Sequence, residues 1–271
     1  MKDYLKQLIE KIQDSNLARC IVREYLQART LECLQENGAF SDWAFVGGTA
    51  LRFLYSLPRF SEDLDFSTTG PETEDNFDSH LKKIKTQFLA ENYEVVLKAK
   101  TAKTVKAAFI KFPGLLYQLG LSPVRSEVIS IKVEIDSNPP DGAQLETSLI
   151  RKHCLLNLQH YDKSSLLAGK LHALSSRKYI KGRDVYDLMW YLSDRTWPQP
   201  NLLLLNNALK QTAWEGATLA EDNWKQQIAV KVSEFDWNKV IADVKPFIEK
   251  QSDLQMLTLP NLIKLLKEPD Q

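Results

Sequence analysis

The spacing of apolar residues predicts where helices and strands lie along the chain. From residue 2 to about residue 35, apolar side chains recur every three or four positions, as in amphipathic helices. Residues 44–46 predict a short strand, and residues 47–49 (Gly-Gly-Thr) predict a turn whose threonine can cap the next helix. Pro58 ends that helix. The pattern predicts packing helices in front of a strand–turn–helix unit.

Extended patterns follow this unit. Residues 61–66 read Ser-Glu-Asp-Leu-Asp-Phe and predict a strand that ends in alternating acids, and a helix is expected from about residue 76 to 91. Residues 93–98 and 105–112 predict a hairpin with its turn at 101–104. The hairpin is basic, with Lys98, Lys100, Lys103, Lys106 and Lys111. It is a candidate RNA or triphosphate contact if one face turns toward an active site, and otherwise a charged edge that deters aggregation.

Residues 127–136 alternate strongly and predict a further strand. Because successive side chains of a strand point to opposite faces, one face is apolar and the other is polar. The polar face carries Ser130, Lys132, Glu134 and Asp136. It can supply a carboxylate to a site formed with a neighbouring strand, or it can be an ordinary exposed strand face.

A loop with two prolines, Pro139 and Pro140, follows this strand and marks the best domain boundary. The first domain is predicted to span residues 1–140 and the second residues 141–271. Residues 145–158 predict a strand and turn, and from about Ser164 onward the pattern is mainly helical. The expected fold class is therefore α+β, with a mixed sheet and flanking helices followed by a helical C-terminal domain.

Composition limits the class of protein more than it identifies it. Of 271 residues, 44% are hydrophobic and 26% are charged, which is typical of a globular protein. Acidic and basic residues balance at 35 each, so any RNA binding must come from local basic patches. Three scattered cysteines predict neither a disulfide framework nor a zinc site. Neither a signal peptide nor a membrane span is predicted, and a cytoplasmic protein is expected.

Candidate chemistry is concentrated between Gly47 and Asp65. Asp63 and Asp65 flank Leu64 in a predicted strand, so their carboxylates share one face. Two adjacent like charges repel, and Mg²⁺, which takes hard carboxylate oxygens together with substrate phosphates, removes that repulsion. A glycine turn at a helix N-terminus supplies N–H groups for phosphate. The combination indicates phosphoryl or nucleotidyl transfer, although each half alone is also common in tight turns and acidic surface strands.

These residues resemble motif I of the nucleotidyltransferase superfamily, in the version carried by the AbiEii/AbiGii toxin family. The matching residues are GGTAL at 47–51, then Arg59, then SEDLDF at 61–66. Thr49 stands where many members have serine, so the hydroxyl is retained. The family's motif II resembles KVEI at 132–135, which implies Glu134 as the third carboxylate, with Asp136 as the second choice.

Motifs III and IV of the family resemble KLHALSSR at 170–177 and RDVYDL at 183–188. The resemblance implies that Lys170 and Arg177 contact the triphosphate and that Asp184 is needed for activity. Helix capping is the alternative role of Asp184, and Asp187 can form a structural ion pair with Lys170 or Arg183. Arg59, Arg183, Asp136 and Asp187 are thus further candidates for the site.

The resemblance implies a polymerase-β-like fold, with the site in a cleft between the sheet domain and the helical domain. It implies a nucleotidyltransferase with Asp63, Asp65 and Glu134 on Mg²⁺ or Mn²⁺ and with Gly47, Gly48 and Thr49 near the phosphates of an NTP. RNA, most of all the 3′ end of tRNA, is the implied acceptor. The implied role is toxin of a type IV toxin–antitoxin or phage abortive-infection pair, whose antitoxin acts without a stable complex. Transfer to a small molecule or protein hydroxyl, and nucleotide binding without turnover, are the alternatives.

Overall fold

The computed structural model describes residues 2–70, 74–100, 104–177, 179 and 181–268. Residues 101–103 of the predicted hairpin turn therefore lie outside the description. The chain divides into two compact units. The first contains Met1–Tyr55, Phe60–Asn138 and Thr147–His160, and the second contains Ser56–Arg59, Pro139–Glu146 and Tyr161–Gln271. These units differ from the predicted domains 1–140 and 141–271, because Thr147–His160 belongs to the first unit and Ser56–Arg59 belongs to the second.

The first unit is built on a mixed sheet of seven strands in the order β3-β4-β5-β2-β1-β7-β6. The strands are β1 (Trp43–Val46), β2 (Asp63–Thr68), β3 (Val96–Lys100), β4 (Val105–Pro113), β5 (Val128–Asp136), β6 (Leu145–Lys152) and β7 (Cys154–Tyr161). β2 pairs antiparallel with β1 and parallel with β5, while β4 pairs antiparallel with β5. The predicted mixed sheet is confirmed, and β2 lies near its middle.

One face of this sheet forms the core of the first unit. Leu64, Val133 and Ile110 are fully buried on neighbouring strands, as the alternation of β2, β5 and β4 requires. Aromatic rings fill the space between this face and the helices, for example Phe88 and Phe112, whose centroids are 4.9 Å apart. The helices of this unit are α1 (Lys2–Ile9), α2 (Ser15–Glu36), α3 (Gly47–Tyr55), α4 (Glu74–Ala90) and α5 (Leu115–Gln118).

The predicted helical segment from residue 2 to residue 35 is two helices, α1 and α2, with a break between them. Asp14 causes the second to start where it does, because its Oδ1 accepts hydrogen bonds from the N–H groups of Asn16 and Leu17. Ile12, which fits the apolar period, lies in the connecting loop. A side-chain cap therefore overrides the continuing hydrophobic pattern.

The second unit is mainly helical, as predicted. Its helices are α6 (Lys163–Ser176), α7 (Gly182–Ser193), α8 (Leu202–Gln211), α9 (Trp224–Ser233), α10 (Trp237–Val244), α11 (Asp253–Met256) and α12 (Leu259–Lys267). α6 packs against α7 and α8, and α7 also packs against α10 and α12. In the part of the chain that the structure describes, no helix combines the length and apolar character needed to cross a bilayer.

Candidate active site

The acidic pair lies at the start of β2. Leu64 between the two acids is fully buried, whereas Asp63 and Asp65 are each partly exposed. Both carboxylates therefore lie on the open face of the sheet, opposite the core. β2 begins at Asp63, so Asp63 and Asp65 lie at the start of the strand, and the prediction that they lie at its end was wrong. Their shared face is the arrangement that the alternation predicts.

The register between β2 and β5 places a third acid beside this pair. Asp65 lies opposite Glu134, Asp63 opposite Lys132, and Ser67 opposite Asp136. Neighbouring strands are about 4.8 Å apart, so Glu134 is the nearest acid of β5 to Asp65. The Oδ1 atom of Asp136 instead accepts a hydrogen bond of 3.0 Å from the N–H of Asn138. The geometry favours Glu134 over Asp136 as the partner of Asp65.

Lys132 lies among these acids. Its Nζ is 2.5 Å from Oε2 of Glu134. Burial lowers the pKa of Lys132, but the hydrogen bond and charge of Glu134 and the charges of Asp63 and Asp65 outweigh it, so the pKa is raised. Among the described residues, no three acidic, histidine or cysteine side chains are grouped closely enough to hold a metal ion. Asp63, Asp65 and Glu134 thus share a face on which a lysine neutralises part of their charge.

The glycine turn contacts the same face. Gly47 has φ of +80° and begins α3, so this position suits glycine. A Cβ added there would lie 2.4 Å from Oδ2 of Asp65. The carboxylate of Asp65 therefore lies directly against the backbone of the turn. Exposed hard-oxygen donors beside an open backbone turn fit Mg²⁺, which commonly takes one or two carboxylates and completes its shell with water and phosphate.

Thr49 is fully buried within α3, and its hydroxyl donates a hydrogen bond to the carbonyl oxygen of Asp63. The prediction that it caps the helix was wrong, because the hydroxyl connects α3 to β2 instead. Thr49 thereby fixes the start of the strand that carries the acids. Its predicted contact with nucleotide stays a prediction.

The lysine, arginine and acidic residues of motifs III and IV form a cluster around two buried acids, Asp184 and Asp187, in the second unit. Nζ of Lys170 is 3.0 Å from Oδ1 of Asp184 and 2.7 Å from Oδ2 of Asp187. The guanidinium of Arg59 forms two hydrogen bonds of 2.6 Å to the two carboxylate oxygens of Asp187. Arg177 pairs with the second oxygen of Asp184. Two acids thus pair with three basic residues, and the cluster keeps a formal excess of one positive charge.

This pairing fixes the charge states of the cluster. Burial by itself lowers the pKa of Lys170, but the charges of Asp187 and Asp184 raise it above its ordinary value. Burial by itself raises the pKa of Asp184, but Lys170 and Arg177 hold it below its ordinary value. Asp184 lies in the first turn of α7, where its N–H bonds to the carbonyl of Lys181, so the alternative role of Asp184 as a helix cap was wrong.

The partners within this cluster were only partly predictable. Asp187 pairs with Lys170, one of its two predicted partners. Arg183, the other, lies with its Nε 3.7 Å from Asp243, which also accepts the hydrogen bond of its backbone N–H. The bidentate partner, Arg59, was not predicted, because it is 128 positions away in the sequence. That Lys170 and Arg177 contact a triphosphate stays a prediction.

Comparison with known proteins gives one family. Residues 29–259 match the family model described as nucleotidyl transferase AbiEii toxin, type IV TA system. This range includes every candidate residue of the site, from Gly47 to Asp187. No curated protein sequence matches the chain.

Several solved structures have a similar fold. MenT4, a nucleotidyltransferase toxin of Mycobacterium tuberculosis H37Rv, has a TM-score of 0.54 and 15% identity, covering 100% of this chain and 90% of that one. A putative nucleotidyltransferase from Helicobacter pylori has a TM-score of 0.52 and 20% identity, covering 91% of each chain. JHP933 from the same species has a TM-score of 0.51 and 18% identity, covering 92% and 90%. At these identities the likeness concerns the fold.

Proposed function

Because the chain belongs to the AbiEii family of nucleotidyltransferase toxins of type IV toxin–antitoxin systems, we propose that it transfers a nucleoside monophosphate from an NTP to RNA. The acceptor in this proposal is a hydroxyl at the RNA 3′ end, with tRNA as the first candidate. The reaction uses Mg²⁺, or Mn²⁺ in its place, and takes place in the cytoplasm. The biological outcome is toxicity, including abortive infection by phage, which an antitoxin relieves without forming a stable complex.

One observation carries the chemistry: the open face of β2 and β5 brings Asp65 beside Glu134 and against the backbone of Gly47. Carboxylates next to a glycine turn are suited to a nucleotide, whose phosphates need both N–H donors and charge neutralisation. When bound, Mg²⁺ supplies the positive charge that a displacement at phosphorus needs. Asp63 and Asp65 are the residues that would hold it, and Glu134 is the third candidate.

In the proposed reaction, the oxygen of the acceptor hydroxyl forms a bond to the α-phosphorus of the NTP. The bond from that phosphorus to the bridging oxygen of the β-phosphate breaks, and pyrophosphate leaves with the electron pair. The hydroxyl proton passes to Glu134, which lies at the side of the pair nearest β4. Gly47 and Gly48 offer backbone N–H groups to the phosphates, and Lys132 maintains the charge balance of the face.

The cluster around Lys170 has two parts with different proposed roles. Lys170 pairs with both Asp184 and Asp187, its side chain is only 12% exposed, and it positions α6 against α7. The side chain of Arg177 is 33% exposed, so of these two predicted triphosphate contacts it is the one with a surface available to ligand. Loss of Asp184 is therefore expected to affect activity through the placement of Lys170 and Arg177.

The test is transfer of label from each of the four α-labelled NTPs to total tRNA in the presence of Mg²⁺. Wild-type protein is expected to label RNA, and Asp63→Ala is expected to abolish the labelling. Asp222→Ala removes an exposed acid of the second unit and serves as the matched control, with activity like that of wild type. Label that stays unincorporated with all four nucleotides contradicts the proposal, and label on protein indicates a protein hydroxyl as acceptor.

A further inference from the structure

The strand register extends the acid-bearing face to the edge of the sheet. Glu134 lies opposite Ala107, and Ala107 lies opposite Lys100. In the neighbouring row, Lys132 lies opposite Phe109, and Phe109 opposite Lys98. Directly opposed residues project to the same side of a sheet. Lys98, Lys100 and Phe109 therefore share the face of Asp63, Asp65 and Glu134.

The lysines of the basic hairpin divide between the two faces. Lys111 lies opposite Ser130 and so belongs to the acid-bearing face, next to Phe109 on β4. Lys106 lies opposite Ile135 and is 6% exposed, so it belongs to the core face. Lys98 and Lys100 are exposed. Lys98, Lys100 and Lys111 therefore face the same way as the candidate catalytic acids, which is the condition under which this hairpin was predicted to contact RNA or triphosphate.

Phe109 differs from the other large apolar residues of β4. Ile110 and Phe112 are fully buried on the core face, whereas Phe109 is half-buried on the opposite face. The Nζ atom of Lys132 lies 6.0 Å from its ring centroid, at the limit for a cation–π contact. Its ring lies between the lysines of β3 and the acids of β5 and β2. An aromatic ring on an open sheet face is a platform on which a nucleic-acid base can stack.

We propose that the 3′-terminal segment of a single-stranded RNA lies across β3 and β4 on this face. One base stacks on Phe109, the phosphates lie near Lys98 and Lys100, and the terminal hydroxyl points toward Glu134. Only β4 separates β3 from β5, so the row from Lys100 to Glu134 spans about 10 Å, or two strand spacings. This inference rests on the proposed function, since it identifies the acceptor surface of the same site.

Single-stranded RNA fits this face better than a duplex does. The bases of a duplex are stacked on one another and unavailable to Phe109, whereas those of a single strand can be splayed onto an aromatic side chain. The chain carries no net charge, so the positive charge near the acceptor has to be local. Lys98 and Lys100 lie on β3, two strands away from Glu134 on β5. If the RNA phosphates lie near these lysines, the terminal hydroxyl can reach the acids.

The test compares variants of this face in RNA binding, which needs no turnover, and in steady-state transfer. The double variant K98E/K100E is expected to raise the Kd for a single-stranded oligonucleotide by about tenfold or more. The slope of the logarithm of the binding constant against the logarithm of the salt concentration is expected to become shallower by about 1.4, since each phosphate contact contributes about 0.7. Phe109→Leu keeps an apolar side chain but removes the ring, and it is expected to weaken binding by about 5- to 150-fold. In transfer, both variants are expected to raise the KM for RNA and leave the KM for NTP unchanged.

The matched control is K82E/K83E, which makes the same change of charge on exposed positions of α4, a helix packed on the core side of the sheet. It is expected to bind RNA like wild type. If both K98E/K100E and Phe109→Leu bind RNA with wild-type affinity and have a wild-type KM for RNA, the proposal that this face binds the acceptor is contradicted. The proposed nucleotidyl transfer would not be affected by that result. Failure of the wild-type protein to label RNA would contradict the proposed function instead, and the binding measurement would still decide the role of this face.

Discussion

At the scale of single residues, Gly47 connects backbone conformation to chemistry. Its φ of +80° disfavours a side chain, and the carboxylate of Asp65 occupies the space that a Cβ would need. Glycine is favoured at position 47 because the carboxylate of Asp65 lies close to the backbone of the turn.

Replacement of Gly47 by alanine is expected to move the carboxylate of Asp65 and to abolish transfer, because the new Cβ would lie 2.4 Å from Oδ2. Gly38→Ala is the matched control, since Gly38 has φ of +76° but nothing within 4 Å of an added Cβ. Each variant is expected to lose about 1–2 kcal/mol of unfolding free energy from backbone strain. Activity in Gly47→Ala equal to that in Gly38→Ala would contradict this role of Gly47.

Lys132 lies among the acidic side chains of β2 and β5 and neutralises part of their charge. Its Nζ lies 2.5 Å from Oε2 of Glu134, and it lies opposite Asp63 in register, so it would compete with a metal ion for these carboxylates. Lys132→Gln is expected to tighten Mn²⁺ binding by about fivefold or more, since a unit charge at 4 Å contributes about 1 kcal/mol in water. Calorimetric titration of the protein without nucleotide measures this. Lys82→Gln is the control, and unchanged or weaker Mn²⁺ binding by Lys132→Gln would show that Lys132 does not compete.

At the scale of elements, the sequence predicted what depends on local alternation and missed what depends on distant contact. β5 and β4 were predicted to within a residue or two, because alternating apolar positions report which face is buried. The alternation also placed Asp63 and Asp65 on one face. Which of Glu134 and Asp136 lies opposite Asp65 depends on strand register, and the spacing of residues within one strand does not contain that information.

The motif around Lys170 shows the same division. Its residues were identified from the family pattern, and the pair of Lys170 with Asp187 was one of two predicted alternatives. The burial of the acids and the pairs that Arg59 and Arg177 form were not predicted. The two hydrogen bonds of Arg59 to Asp187 join positions far apart in the chain. A buried ion network of this kind is specified by tertiary packing, since its members carry no local signal apart from being charged.

Packing of α7 against α10 depends on Gly182, where an added Cβ would lie 2.2 Å from the carbonyl oxygen of Val240. Gly182→Ala is expected to force the helices apart and to lower the free energy of unfolding by about 1–3 kcal/mol. Gly169→Ala provides a control of opposite sign, because nothing lies within 4 Å of its added Cβ and alanine is favoured within α6 by about 0.5–1 kcal/mol. Thermal melting of both variants measures the difference, and equal melting temperatures would contradict the contact.

At the scale of the whole molecule, the net charge is zero, but each unit contains buried carboxylates that are paired with basic residues. The 35 acidic and 35 basic residues cancel overall, yet buried pairs in each unit depend on ionised carboxylates. In the first unit, Glu24 pairs with Arg52 of α3 and lies 3.4 Å from Nζ of Lys152. In the second unit, Asp184 depends on Lys170 and Arg177. Both units are therefore expected to be sensitive to acid.

The pH dependence follows from the pKa of Glu24. Burial raises that pKa, but His153, whose Nε2 lies 3.5 Å from Oε1 of Glu24, and the charges of Arg52 and Lys152 lower it from 4.5 to about 2. A carboxylate with a lowered folded-state pKa stabilises the protein above its unfolded-state pKa, and this contribution of about 3 kcal/mol disappears as pH falls from 4.5 to about 2. Denaturant midpoints measured across this range are expected to fall. Glu24→Gln is expected to be less stable at pH 7 and to lose less on acidification, and a parallel decline in both proteins would contradict this assignment.

The most direct test of the account is nucleotide transfer by Asp65→Asn, measured as incorporation of α-labelled nucleotide into RNA. Asparagine keeps the size of the side chain against Gly47 but removes its charge, so the variant is expected to melt like wild type. Removal of one group that stabilises charge in a transition state commonly costs about 10²- to 10³-fold in rate, and a loss at least that large is expected here. Wild-type rates of incorporation by folded Asp65→Asn would contradict the claim that the open face of β2 and β5 is the catalytic centre.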